Sequence, residues 1–253
     1  MAVRVLPFSF PGVPNVGCAF QMRSHDDAGQ SVPFALAGGT ISYTDGIADD
    51  VVLKNRRDLI KSTGVSLLGE MHQVHGDKIL FEPEPASLEK GPLEEADGLA
   101  SSRSGMALMV KTADCQPILL THKSGRYIAA LHAGWRGNRQ LFPMTAVRRF
   151  CDHYGIRPAD CLAVRGPSLG PSKAQFIHYA AEWGGYFSKY LDLATTTMDL
   201  WTMTRDQLCA AGIPARNIFS IDLCTASMPE DFFSYRHDHG CGRQASLIWI
   251  KES

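Results

Sequence analysis

No stretch of this 253-residue chain approaches the roughly 20 uninterrupted apolar residues that a membrane-spanning helix requires. Lys111, Asp114 and Lys123 interrupt its most hydrophobic segment, which starts at Met106 and runs past Leu120. A secretory leader is equally hard to find, because Met1 to Phe20 carries Arg4 and is broken by Pro7, Pro11 and Pro14. The expectation is a cytoplasmic protein. Net charge is also scarce: 25 basic against 26 acidic side chains leave −1, so no global field draws in nucleic acid or an anionic membrane. Seven cysteines (18, 115, 151, 161, 209, 224 and 241) include no CxxC pair, which argues against a zinc ribbon and a disulfide framework. No GxGxxG follows an apolar run, and neither a repeat nor a Pro- or Ser-rich linker divides the chain.

What remains is an ordinary globular composition, 45% hydrophobic and 20% charged, in a chain long enough to bury a large core. Asp49 to Thr63 reads as an amphipathic helix stopped by Gly64. Short apolar runs bounded by Gly, Pro, Asp or Ser read as strands: Val65 to Leu68, Lys78 to Phe81, Met106 to Lys111, Pro117 to Leu120, Tyr127 to Leu131, Cys161 to Val164, Ile218 to Ile221 and Ala245 to Ile250. Further helices are expected from an Asn138 cap to Tyr154, closed by Gly155, and over Phe176 to Tyr190 and Met198 to Ala211. Because strands cluster without regular helical alternation, the reading is α+β with mixed sheets, in a single domain over 1–253.

Three segments place a metal-competent side chain at the end of an apolar run, beside turn-forming residues. They are Gln73-Val74-His75-Gly76, Thr112-Ala113-Asp114-Cys115 and Leu131-His132-Ala133-Gly134-Trp135-Arg136-Gly137. Gaps of 40 and 17 residues separate His75, Cys115 and His132, so only the tertiary fold can unite them. If it does, two imidazoles and a thiolate take three corners of a tetrahedron around Zn²⁺ and leave the fourth open, the arrangement of a catalytic site. The same residues also read as a Cys115 nucleophile activated by an imidazole, with Asp114 or Asp97 orienting the base. A purely structural reading makes them satisfied strand-end histidines and a small core cysteine. Spacing leaves all three open.

The ordered set QVHGDKI, ADG, TADCQPILL, AALHAGWRG, GPSLGP and CT followed by FFSYRHDHGCGRQA resembles the YfiH-like laccase-domain family, also called polyphenol oxidase-like or peptidoglycan editing factor. The likeness runs from about Asn55 to the C-terminus, four-fifths of the chain. It implies a mixed β-sandwich with flanking helices in α/β/β/α layers, and metal ligands at His75, Cys115 and His132. It further implies a zinc-dependent purine nucleoside phosphorylase acting on adenosine, inosine and methylthioadenosine, with adenosine deaminase activity in the same site. Zinc would serve deamination directly, since it makes water acidic enough to act as a nucleophile near neutral pH. For phosphorolysis the candidate anion contacts are Arg136 with Arg23 or Arg236, because guanidinium N–H pairs match phosphate geometry. Asp114 and Asp97 are candidates for proton transfer or for orienting a ligand. Trp135, Phe176 and Tyr235 are candidates for stacking on a purine.

The expected partners are therefore small molecules, purine nucleosides and phosphate, bound by a monomer or homodimer, with copper an alternative to zinc. Competing functions are copper-dependent phenol oxidation, a Cys-dependent hydrolase of cell-wall precursors, and a metal-dependent interaction module. The older multicopper name conflicts with the sequence, where only one His/Cys/His constellation is apparent among nine histidines. The N-terminal quarter departs from the family pattern: Gln21-Met22-Arg23-Ser24 keeps only the Arg of a usual Thr-Thr-Arg segment, and a usual Asn is replaced near Thr40.

Overall fold

A computed structural model describes residues 3–24, 38–43 and 47–252. Its strands are β1 (Arg4–Phe8), β2 (Val16–Met22), β3 (Leu67–Gly69), β4 (Ile79–Phe81), β5 (Gly98–Ser101), β6 (Met106–Thr112), β7 (Gln116–His122), β8 (Ile128–Ala133), β9 (Cys161–Arg165), β10 (Leu191–Asp192), β11 (Thr197–Met198), β12 (Ile218–Ser220) and β13 (Gln244–Ile250). The helices are α1 (Asp49–Thr63), α2 (Trp135–Arg139), α3 (Phe142–Tyr154), α4 (Tyr179–Glu182) and α5 (Leu200–Ala210). Among the described residues they form a five-stranded sheet ordered β1-β2-β13-β6-β3, a six-stranded sheet ordered β12-β9-β7-β8-β5-β4, and the small pair β10-β11. Both large sheets are mixed. Parallel pairs β3–β6, β9–β12 and β4–β5 join otherwise antiparallel ladders.

Side-chain alternation builds the layers. On β6, Met106, Leu108 and Val110 point into the space between the sheets, where they meet Leu119 of β7 and Ile128 and Ala130 of β8. Their neighbours Ala107 and Met109 face the other way and pack with Leu59 of α1. On the second sheet, Ile118 and Leu120 face outward onto Phe142, Ala146, Val147 and Phe150 of α3 and Leu208 of α5. The result is α/β/β/α, the mixed sandwich expected from the motif set. A smaller apolar assembly (Leu169, Ala174, Phe176, Trp183, Phe187, Met198, Leu200 and Met203) stands apart, with Trp135 and Leu141 packed against it.

Helix α1 matches its expected bounds, with acidic Asp49 and Asp50 in the first turn and Gly64 ending it at φ 72°. Its buried Arg56 forms a bidentate pair with Glu70 at 2.9 and 2.8 Å. Losing Glu70 would strand the buried guanidinium at a cost of roughly 3–5 kcal/mol.

Two expected helices are corrected. Asn138 does not cap a helix; it lies inside α2, where Thr204 Oγ1 donates to its side chain at 2.9 Å, and α3 starts only after Leu141 turns the backbone left-handed at φ 59°. Phe176 to Tyr190 is not one helix either. Gly184, at φ 71°, separates the single turn α4 from a 3-10 segment at Gly185–Tyr190. No helix among the described residues is long and apolar enough to cross a membrane.

Candidate metal centre

The three expected ligands converge from both sheets. His75 follows β3 in the first sheet, Cys115 ends the short connection that carries the chain from β6 to β7 in the second sheet, and His132 sits near the end of β8. Their donor atoms lie within 4.8 Å of one another, with Cys115 Sγ 3.7 Å from His75 Nε2. The two imidazoles meet edge to face, their centroids 4.8 Å apart.

Backbone geometry aims these groups. His75 occupies the left-handed region at φ 60°, as does Asp114 at φ 87°, a conformation that costs a non-glycine residue free energy and persists only when the surroundings hold it. For His75 the restraint is Asp97, which is fully buried. The Asp97 carboxylate accepts from the amides of Val74 (3.3 Å), His75 (3.0 Å) and Gly76 (2.6 Å), and from His132 Nδ1 at 2.7 Å. One carboxylate thus fixes both ligand histidines and leaves Nε2 of His132 for a metal. For Asp114, Thr225 Oγ1 and the Arg236 amide each donate to its carboxylate at 2.6 Å, tying the C-terminal loop to the connection that carries Cys115.

Electrostatics favour a deprotonated sulfur. Burial alone would push the Cys115 thiol up, but the charge of His132 and its hydrogen bond, followed by those of His75, bring it down to about 6. Burial works against a proton on His132, yet the Cys115 thiolate and the Asp97 bond hold it up to about 9. Asp97 resists its own burial chiefly through its bond to His132 and lies below the usual carboxylate range. Both shifts favour a thiolate beside a protonated imidazole, and a divalent cation would take the place of that proton. Imidazole and thiolate donors suit zinc or copper.

Gly134 shows how tightly the trio is enclosed. A Cβ there would meet Cys115 Sγ at 2.9 Å and His75 Cδ2 at 2.9 Å. The substitution Gly134→Ala is expected to weaken zinc binding about tenfold, the equivalent of a modest overpacking cost, while circular dichroism remains native. Competition with a chromophoric chelator measures it.

The trio opens into a cleft of about 740 Å³. Arg136, Arg236 and Asp114 line it, as do Trp135, Phe176 and Tyr235. Arg136 stacks on Trp135 at 4.6 Å, and Arg236 Nη1 donates to the Gln175 carbonyl at 3.0 Å. Arg23 stands apart from this lining; its Nη1 donates to the Pro229 carbonyl at 2.5 Å and its guanidinium lies 5.2 Å from the Phe233 ring. Two cations that the sequence reading passed over, Lys111 and Arg243, also line the cleft. The available signal for Lys111 was a charge at the end of the otherwise apolar run Met106 to Val110.

Comparison with known proteins places this geometry. A family model described as multi-copper polyphenol oxidoreductase laccase matches residues 27–251. A purine nucleoside phosphorylase of Xylella fastidiosa is 33% identical over 97% of this chain and 96% of its own length. The Escherichia coli protein named purine nucleoside phosphorylase YfiH is 33% identical over 71% of this chain and 72% of its own. Among solved structures, YlmD from Geobacillus stearothermophilus superposes with a TM-score of 0.84 at 24% identity, covering 96% of this chain and 94% of that one, a likeness of fold. With the family model and the Xylella relative each spanning most of the sequence, the chain belongs to the YfiH-like family described as multi-copper polyphenol oxidoreductase laccase.

Proposed function

We propose that the protein is a metal-dependent enzyme that cleaves purine nucleosides by phosphorolysis, giving free base and ribose 1-phosphate, and that it deaminates adenosine in the same site. The observation that carries this reading is the opening of a His/Cys/His trio into a cleft lined by both guanidinium and aromatic groups. The names of the Xylella and Escherichia relatives support it.

The donor set fits zinc: two imidazoles, one already oriented by a carboxylate, and a sulfur held as thiolate. Held by His75, Cys115 and His132, zinc would supply a Lewis acid at the floor of the cleft. The remaining work falls to the chain. Lengthening the bond between C1′ and N9 builds positive charge on the ribose and negative charge on the base, so the site must hold an anion at one face and steady the leaving purine at the other. Arg136 and Arg236 take the phosphate. Trp135 and Phe176, whose centroids are 5.9 Å apart, offer apolar faces to the base. Asp97 keeps both histidines in place; its oxygens are engaged by three amides and an imidazole, which suits a positioning role better than proton transfer. Asp114, held by Thr225 and the Arg236 amide, sets the position of Arg236 relative to Cys115.

Incubating the zinc-loaded protein with adenosine is expected to release adenine only when phosphate is present. Adenine release that ignores phosphate would remove this reading. The family's description favours a second one, copper-dependent phenol oxidation. Multicopper chemistry relies on several copper centres, and the described residues hold one cluster of this kind. Stoichiometric copper together with oxygen uptake on a phenol would establish the second reading over the first.

A further inference from the structure

The wall of the cleft formed by the first sheet carries a charge imbalance. Arg56 and Glu70 are buried to 1% and 0% side-chain exposure, and Lys111 to 14%. Arg56 occupies both Glu70 oxygens, and its Nε donates to the Ile41 carbonyl at 2.7 Å. Lys111 Nζ also donates to Glu70 Oε1. One carboxylate therefore faces two cations, leaving one positive charge in excess among these three groups. An excess charge in a poorly hydrated place is costly unless a ligand of opposite sign completes it. Burial correspondingly lowers the proton affinity of Lys111, with Glu70 opposing it.

Arg243 reinforces this excess. Lys111 pairs with Ala245 across β6 and β13, and Arg243 stands two residues before Ala245, just ahead of the first residue of β13. Its Nη1 is held by the carbonyls of Cys241 (2.7 Å) and Gly242 (2.9 Å). Both cations line the cleft, with Ser42 and His72. The acids in the described lining are Asp114, which is tied to Thr225 and the Arg236 amide, and Glu182.

We infer that Lys111 and Arg243 form a binding site for a phosphate-type dianion on the first sheet's wall of the cleft, separate from Arg136 and Arg236, with Glu70 and Arg56 acting as the rigid mount for Lys111. The inference rests on the reading above, in which the cleft takes a nucleoside and phosphate. The dianion is either free orthophosphate or a phosphoryl group carried on the sugar of the substrate.

Calorimetric binding to the zinc-loaded protein tests it, with inorganic phosphate, inosine 5′-monophosphate and inosine as separate probes, none of which carries a 6-amino group to be lost. Lys111→Met is expected to weaken phosphate or the monophosphate about tenfold or more, with inosine unchanged within about twofold, and Lys111→Arg is expected to restore most of the loss. A loss for both anions, or for orthophosphate alone, assigns the site to free phosphate. A loss confined to the monophosphate assigns it to a phosphorylated sugar. Anion binding unchanged within about twofold in a folded Lys111→Met protein overturns the inference. Should that variant not fold, Arg243→Gln gives the same reading from the other cation. Because binding is measured without turnover, a protein that binds phosphate through Lys111 but never splits adenosine would sink the proposed reaction and leave this site standing.

Discussion

Replacing His132 with alanine is expected to lower zinc affinity by about a hundredfold or more and to remove phosphorolysis at micromolar zinc. The estimate follows from sharing the roughly 10–16 kcal/mol of a four-ligand zinc site among its donors, about 3 kcal/mol each. His132 carries more than an average share of the organisation here, because its ring joins the Cys115 sulfur to the Asp97 carboxylate, whereas His75 reaches Asp97 through its backbone amide. Its loss also removes the strongest influence holding the Cys115 thiol down near 6. The variant should therefore show two linked changes: metal content falls on dialysis against a weak chelator, and thiolate absorbance of the metal-free protein shifts to higher pH. A variant that keeps stoichiometric zinc would show that the trio is not the metal centre.

Asp97→Asn is the second large effect, a loss of about 10- to 100-fold in metal affinity without removal of any ligand. Asparagine can still accept from one or two of the amides of Val74, His75 and Gly76, but it loses a charged acceptor and presents an NH₂ where an oxygen was needed. The left-handed turn at His75 then loses part of its restraint, and His132 loses the partner that fixes its tautomer. Competition between the protein and a chelator measures the change. Asp77→Asn, an exposed carboxylate two residues from His75, serves as the control and should leave affinity unaltered. Equal losses in the two variants would point to a general charge effect.

The His75, Cys115 and His132 trio stood out in the sequence by side-chain type, histidine and cysteine at strand ends next to glycine or aspartate, while spacing left a metal site, a thiol nucleophile and a structural role open and the family likeness pointed to ligands. The α1 helix and its Gly64 stop were legible for a similar reason, since periodicity and cap are local. Features that depend on distant partners were not. Strand β1 holds Pro7, which reads as a break; it survives because, among the described residues, β1 is an edge strand paired with β2 alone. Asn138 resembles a cap, yet its partners Thr204 and Gln207 lie 66 and 69 residues away on α5. Lys111 reads as an interruption of a hydrophobic run, and only the fold brings Glu70 and Arg56 against it. Arg23 lies in a segment that diverges from the family; its guanidinium meets the Pro229 carbonyl and the Phe233 ring, and Arg23 is not among the described residues that line the cleft.

The separate apolar assembly around Trp183 has a bearing on how this scaffold can diversify. It supplies Phe176 and supports Trp135, whereas His75, Cys115 and His132 are mounted on the two large sheets and their own core. The assembly is tied to the ligand-bearing segments through main-chain groups, the Leu169 amide donating to the Asp114 carbonyl at 2.9 Å and Gln116 Nε2 to the Leu200 carbonyl at 3.1 Å, bonds that do not depend on which apolar side chains fill it. Selection can thus resculpt the face that greets an incoming ring while the reactive floor stays as it is, so descendants of one ancestor can trade clientele without rebuilding their engine.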